Sequence, residues 1–407
     1  MASTQYKQRY LKFNELLNVD KDGDNDVDEA QDKDQVIDTR SLRRLCFDIG
    51  CPDDHKHVRS LVWKILLGYL PSDRSQWTSH LAEKRKLYNQ FVSELIISDD
   101  NNVKSPDDHP LNTAPNSHWK NYFRDNEVLS QIYKDVRRLY PDISFFQQRI
   151  AKTFTKSTAC DVIGRTSSKA YTIDVIRNCF GATEIRDNQK KYNTSDDNDF
   201  DSTKSLDGQE FHWQIVARVL FIYAKLNPGQ GYVQGMNEII GPLYYVFAND
   251  HQNGWSDHSE ADTFWCFTSL MSEIRDIYNS HADSDHSTGI VSLMTRLTGL
   301  LSKEDNDLYH RITLVQAIKP HYYAFRWLTL LLSQEFPLPD VLRLWDFLFS
   351  DEKRFNFLLQ TCCAMICLIR SELMNGDFAT NMKLLQNFPE HIDINQIIAR
   401  AKQIHIT

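Results

Sequence analysis

Apolar residues return every three to four positions through segment after segment of this chain, and proline ends the runs. In HVRSLVWKILLGYLP (57–71), Val58, Leu61, Val62, Ile65, Leu66 and Tyr69 share one helical face before Pro71. EVLSQIYKDVRRLYP (127–141) repeats the pattern with Val128, Ile132, Val136 and Leu139 before Pro141. EFHWQIVARVLFIYAKLNP (210–228) does so with Ile215, Val216, Val219, Leu220, Ile222 and Tyr223. This spacing matches the helical period and not the two-residue period of a strand, and proline stops a helix by removing a donor and fixing φ. With only 14 glycines and 12 prolines in 407 residues, the chain also lacks the turn supply of an all-β protein. Further helices are expected over 3–17, 262–279, 288–301, 304–317, 321–335, 339–350, 354–375, 378–387 and 392–404, with a cap near Asp38-Thr39-Arg40 opening the folded part. The fold class expected is all-α. No repeat of 20 to 50 residues marks a solenoid.

Charge removes several function classes. The formal net charge is -9, and the stretch Asp20 to Asp38 alone holds nine acids against Lys21 and Lys33, leaving the rest near neutral. A chain so balanced lacks the basic footprint of a nucleic-acid binder. The segment 18–38 reads as loosely held. DKDGDNDVDEA resembles a calcium loop only superficially: the glycine and glutamate that loop needs fall on Asn25 and Gln31 in one frame, and on Val27 and Lys33 in the other. NQKKYNTSDDNDFDSTKSLDG (188–208) has the composition of an exposed, mobile insert. HADSDHSTG (281–289) could offer metal ligands but reads as a solvated linker, so no metal is expected.

The eight cysteines form no C-x-x-C pair, and Cys362, Cys363 and Cys367 lie in an apolar run where reduced cysteine acts as a small hydrophobe. With no secretory leader, a reducing cytosolic compartment is expected. The longest apolar run, FLLQTCCAMICLI (357–369), is too short to span a bilayer, and neither end carries a lipidation motif. The signatures of a P-loop, a dinucleotide fold, a zincin and a nucleophile elbow are all missing. No nucleotide site of its own is expected.

Three segments stand out. Arg59 and Trp63 lie one turn apart on one helix face, which fits a structural guanidinium–indole contact. Ile132, Asp135 and Arg138 follow an I-x-x-D-x-x-R spacing, which fits a helix end where cations favour the dipole. In NPGQGYVQGMNEIIGPLYYVF (227–247), Gln234 reads as part of the first turn of a helix. Met236, Ile239, Ile240, Leu243, Val246 and Phe247 then share the buried face, while Gln234, Gly241 and Glu238 point the other way. Pro242 should kink or end that helix. Phase leaves Gln234 either a solvated filler or a side chain aimed at a partner.

Taken in order, HVRSLVW, IYKDVRR, GYVQGMN, FRWLTLLLSQEF (325–336) and VLRLWD (341–346) resemble the TBC-domain Rab GTPase-activating proteins, most of all the short single-domain members. The resemblance covers about 35–352. It implies a V-shaped all-α fold of two helical subdomains, the catalytic one ending near 250. Residues 1–34 would precede it as a helix and acidic segment, and 353–407 would complete it. It also implies an arginine finger and a glutamine finger entering a GTP-bound Rab; by position these are Arg138, with Arg137 as the alternative in that frame, and Gln234. Asp135 would steer the arginine. Ile132, Arg59, Trp63 and Tyr232 would support the fingers, and Asn237 would fix the local backbone.

The implied function is GTPase activation in trans, which switches off vesicle-trafficking Rabs. GTP and Mg²⁺ would belong to the Rab, and the activator would need no cofactor. The protein is expected to be a monomer, cytoplasmic, with peripheral membrane association only through the Rab. The alternative is a non-catalytic Rab-binding adaptor or scaffold. Two departures from the family pattern are notable. Leu139-Tyr140-Pro141 follows Arg138 where many members have threonine, and the fingers stand 96 positions apart, which marks residues 150–208 as an insertion.

Overall fold

The computed structural model describes residues 2–17, 36–97, 118–150, 210–279 and 289–406. The acidic stretch, the polar insert, the histidine-rich linker, Cys160 and Cys179 thus lie wholly or almost wholly outside the described residues. Among those described, the regular elements are helices, and the two β-bridges, Val36 with Asp73 and Arg149 with Phe211, stay isolated. The α-helices are α1 Ala2–Leu17, α2 Thr39–Ile49, α3 Lys56–Leu66, α4 Trp77–Val92, α5 His118–Val136, α6 His212–Leu226, α7 Met236–Ala248 and α8 Ser259–Asn279. They continue as α9 Ile290–Glu304, α10 Asn306–Tyr309, α11 Ala324–Thr329, α12 Leu338–Ser350, α13 Phe355–Leu368, α14 Arg370–Asn375, α15 Phe378–Gln386 and α16 Ile394–Gln403. None of them is long and apolar enough to cross a membrane.

The chain divides into two compact units. The first is Met1–Glu83, Glu238–Asn253 and Trp265–Thr407. Here Asp38 caps α2, accepting from the Arg40 and Ser41 amides at 3.0 and 3.2 Å. Gly50 closes α2 at φ 67°, where a β-carbon would also meet the Arg343 Nη1 at 2.7 Å. Helix α3 is buried from His57 to Leu66. Its Trp63 ring packs 5.0 Å from Phe349 and 6.0 Å from Trp345, the latter two both on α12.

Three expected helices are interrupted. Over 321–335, α11 stops and the chain turns through Leu331 and Leu332, both left-handed at φ 51° and 62°. Both leucines are buried, and Trp345 Nε1 donates to the Leu331 carbonyl at 3.0 Å, so core packing outweighs the helical preference. Over 354–375 the helix breaks between α13 and α14 at Ile369. Over 304–317, α10 widens into a π-turn at His310–Val315.

The second unit is Lys84–Asn237 and Gly254–Phe264. Within it α5 packs on α6, with the Tyr133 and Trp213 rings edge to face at 5.4 Å. Arg218 is a half-buried hub that holds Glu210 and Glu260, Arg85 grips Asp262, and Lys225 reaches Asp125 at 2.6 Å. The residues on either side of 151–209 are stapled together: Ile150 N–H donates to Glu210 O at 2.8 Å, and His212 N–H to Gln148 O at 3.2 Å.

Helix α4 escaped the periodicity reading because its sequence, WTSHLAEKRKLYNQFV, offers few apolar side chains; Trp77, Leu81 and Tyr88 are the ones it buries. Helix α7 narrows the expectation at Pro242. It runs through Pro242 to Ala248 without ending. Only one ladder bond is lost to the proline, while Ile239, Ile240, Leu243 and Phe247 are completely buried around it.

Candidate functional site

Helix α5 ends at Val136, so Arg137 and Arg138 lie in the turn beyond it and not in its last turn. Tyr140 follows at φ 44°, and it precedes a proline, a position that disfavours continued helix. The two arginines go different ways. Arg137 is half-buried, lying 5.2 Å over the Trp213 ring and 5.9 Å from that of Tyr133. Arg138 is exposed; its Nε donates to the Lys134 carbonyl at 3.1 Å, and its two Nη groups have no hydrogen-bond partner among the described residues.

Gln234 lies in a turn before α7, since that helix starts at Met236. The helical-phase argument therefore does not set its direction, and Gly241, expected beside it on the open face, is buried. What positions Gln234 is a glycine-bracketed turn. Gly231 at φ 66° and Gly235 at φ 101° take backbone conformations that a side chain would strain. The segment between them buries Tyr232 and leaves the Gln234 side chain exposed, its amide unpaired among the described residues. Met236, Ile239, Ile240, Leu243, Val246 and Phe247 are all buried, as the α7 pattern predicts.

A short polar bridge connects the arginine-bearing and glutamine-bearing turns inside the second unit. The Tyr232 hydroxyl donates to the Asp135 carboxylate at 2.7 Å, and Asn237 Nδ2 donates to the Asp135 carbonyl at 3.5 Å. Asn237 is 4% exposed and its Oδ1 stands 3.5 Å from the same hydroxyl. Ile132, one turn earlier on α5, is fully buried and anchors the helix. The Asp135 carboxylate is thus held by Tyr232, while the Arg138 Nε turns to the Lys134 carbonyl. The sequence showed both residues, but their distance of 97 positions along the chain hid the contact.

Arg59 and Trp63 meet on a carboxylate that sequence reasoning missed. Asp346 of α12 is fully buried. It accepts from Arg59 Nε at 3.1 Å, from Arg59 Nη2 at 3.1 Å, from the Trp63 indole at 2.8 Å and from the Cys51 amide at 3.0 Å. Asp53 takes a further Arg59 donor at 2.6 Å. Burial opposes the guanidinium charge, but Asp346 outweighs it and holds the group above its ordinary range. The available signal was a lone carboxylate in an apolar helix, LWDFLF. This network belongs to the first unit, whereas Arg138 and Gln234 belong to the second; its evident task is to fasten α3 to α12. Among the described residues no cluster of His, Cys, Asp and Glu is arranged to hold a metal.

Comparison with known proteins agrees with this architecture. The Rab-GTPase-TBC domain family model matches residues 184–374, a span that includes Gln234 but not Arg138. The chain is 48% identical over 424 residues to TBC1 domain family member 13 of Homo sapiens, covering 99% of both chains. It is 35% identical to a TBC domain-containing protein of Schizosaccharomyces pombe, covering 94% of this chain and 70% of that one. Its fold is similar to the crystal structure of the Ypt/Rab-GAP domain of Gyp1p, with a TM-score of 0.64 at 23% identity over 98% of this chain and 97% of that one. The chain belongs to the Rab-GTPase-TBC domain family.

Proposed function

We propose that this protein accelerates GTP hydrolysis by a Rab-type small GTPase, supplying Arg138 and Gln234 to the partner's active site. The observation that carries the reading is the Tyr232–Asp135–Asn237 bridge. It ties together two turns, each presenting an exposed, catalytically apt side chain, while the similar neighbour Arg137 is consumed in packing.

The chemistry needs these two side-chain types. Phosphoryl transfer spreads negative charge over the γ- and β-phosphate oxygens. A permanently charged planar donor meets that charge with a fork of N–H groups, which lysine cannot reproduce. An arginine supplied in trans is worth about 10³–10⁵ in rate, or roughly 4–7 kcal/mol of barrier. The attacking water must also be held in line. A neutral amide both donates and accepts, so Gln234 can position the water while contacting the transferring group. The nucleotide and Mg²⁺ are the Rab's. This protein would then act in the cytoplasm and at endomembranes, wherever that lipidated partner resides.

The test is single-turnover GTP hydrolysis across a panel of Rabs. The wild-type chain should stimulate at least one of them. Arg138→Lys and Gln234→Ala should each lower the stimulated rate about 100-fold or more, with folding unchanged because both side chains are exposed. Full stimulation by Arg138→Ala would defeat the mechanism. Tight binding of a GTP-loaded Rab without stimulation would point instead to an adaptor.

A further inference from the structure

Of the eight large apolar side chains exposed among the described residues, four gather around α15 in the first unit: Leu314, Val315, Tyr322 and Phe378. Each is half or more exposed. Hydrogen bonds bring their segments together. The Gly376 carbonyl, at the entry to α15, accepts from Arg311 Nη2 and from Gln316 Nε2, both at 2.9 Å, and Asn381 Nδ2 donates to Gln316 Oε1 at 2.8 Å. The π-turn that carries Leu314 and Val315 is thus fixed against the helix end that carries Phe378. At the far end of α15, Gln386 Nε2 donates to the Tyr322 carbonyl at 3.2 Å, and Arg326 Nη2 to the Gln386 carbonyl at 2.7 Å. Exposed apolar side chains scattered singly are ordinary, but a group of them on one element marks a contact surface.

Charge says what covers it. The whole chain is acidic, yet from Leu308 to Gln334 no Asp or Glu occurs, while Arg311, Lys319 and Arg326 do; α15 likewise carries Lys383 and no acid. Lys319 and Lys383 are exposed, and their ammonium groups have no partner among the described residues. The nearby acids are engaged: Asp377 caps α15 by accepting from the Thr380 amide at 2.8 Å, Glu372 accepts from the Ser371 hydroxyl at 2.8 Å, and Glu335 pairs with Arg326. We infer that this face docks on an anionic lipid surface, with Leu314, Val315, Tyr322 and Phe378 entering the headgroup boundary and Lys319 and Lys383 meeting the lipid charge. Aliphatic and aromatic side chains flanked by lysine suit that boundary, because the lysine stem lies along apolar surface while its ammonium stays among the headgroups. Protein interfaces, in contrast, are depleted of lysine. This contact goes beyond the function proposed above, in which the membrane is reached through the lipidated Rab alone.

The experiment is co-sedimentation of the full chain, with no Rab present, on phosphatidylcholine vesicles with and without phosphatidylserine. The wild-type chain should partition onto the anionic vesicles about tenfold or more better than onto the neutral ones, and added salt should weaken that preference. Leu314→Ser with Val315→Ser should lower the partitioning about tenfold, and Lys319→Glu with Lys383→Glu should remove the preference for anionic lipid. All four side chains are exposed, so the urea midpoints should stay at the wild-type value. Both double variants should stimulate a soluble, unlipidated Rab as the wild type does, which separates this inference from the hydrolysis reading. Vesicle binding by a chain that stimulates no Rab would support the lipid contact and defeat that reading alone. Failure of the wild type to sediment with anionic vesicles, equal partitioning onto both kinds, or undiminished partitioning of the Leu314/Val315 variant would each overturn the inference. If the wild type binds neither vesicle and the variants lose stimulation in solution, the face is a protein contact and the lipid assignment falls.

Discussion

Arg137 and Arg138 are adjacent and chemically identical, and only their surroundings separate them. Arg137 spends its guanidinium on the Trp213 and Tyr133 rings; Arg138 leaves its Nη groups to solvent. Arg137→Gln should therefore cost about 0.5–2 kcal/mol in urea unfolding while sparing most of the stimulated hydrolysis. Arg138→Gln should do the reverse. The I-x-x-D-x-x-R spacing picked out Arg138 without this reason, because the contact of Arg137 with Trp213 of α6 leaves no local trace. Tyr232 is the second residue-scale test. Its hydroxyl meets a carboxylate, a bond worth about 1.5–3 kcal/mol when charge-assisted. Tyr232→Phe should lower the stimulated rate by less than the roughly 100-fold fall expected for Gln234→Ala. In a double-mutant cycle with Asp135→Asn the two effects should be strongly non-additive, since each removes the same bond.

At the scale of elements, the α3–α12 fastening and the neck at 150–210 make the clearest demands. Asp346→Ala would leave Arg59 buried with only the half-exposed Asp53 opposite it. Removing one member of a buried pair costs about 3–5 kcal/mol, so the unfolding midpoint in urea should fall sharply. The neck makes the opposite demand. Because Ile150 pairs with Glu210 and Gln148 with His212, replacing 151–209 by a short Gly-Ser turn should leave the protein folded. Loop closure depends only weakly on length, about 0.6 kcal/mol per doubling, so the thermal midpoint should hold or rise slightly. Helix existence was legible where apolar periodicity was strong, as in α3, α5 and α6. It was illegible for polar α4, and the break at Leu331 and Leu332 reflects a carbonyl claimed by Trp345 from elsewhere in the first unit.

At the scale of the molecule, stability should respond to mild acid through a histidine. His212, stacked on Phe145 at 4.1 Å, is lowered from 6.5 to about 4 by burial. A depressed folded-state value means that the unfolded chain binds the proton first. The stabilising contribution is therefore full above pH 6.5 and is lost as pH falls toward 4. Thermal midpoints should decline across that window, and His212→Phe should flatten the part of the decline due to this residue.

The sequence alone determined the all-α class, the family, and which short segments deserved scrutiny, because helical periodicity and contiguous motifs are encoded by neighbours in the chain. The tertiary structure decided what those segments do. It moved Gln234 out of α7 into a glycine-bracketed turn, gave Asp135 to Tyr232, laid Arg137 against the Trp213 and Tyr133 rings, and supplied Asp346 as the common acceptor of Arg59 and Trp63. The Gln234 turn follows from glycines beside it, but the other three depend on groups distant in sequence meeting, and at Asp346, where water is excluded, the need of a buried polar group for a partner outweighs any local preference.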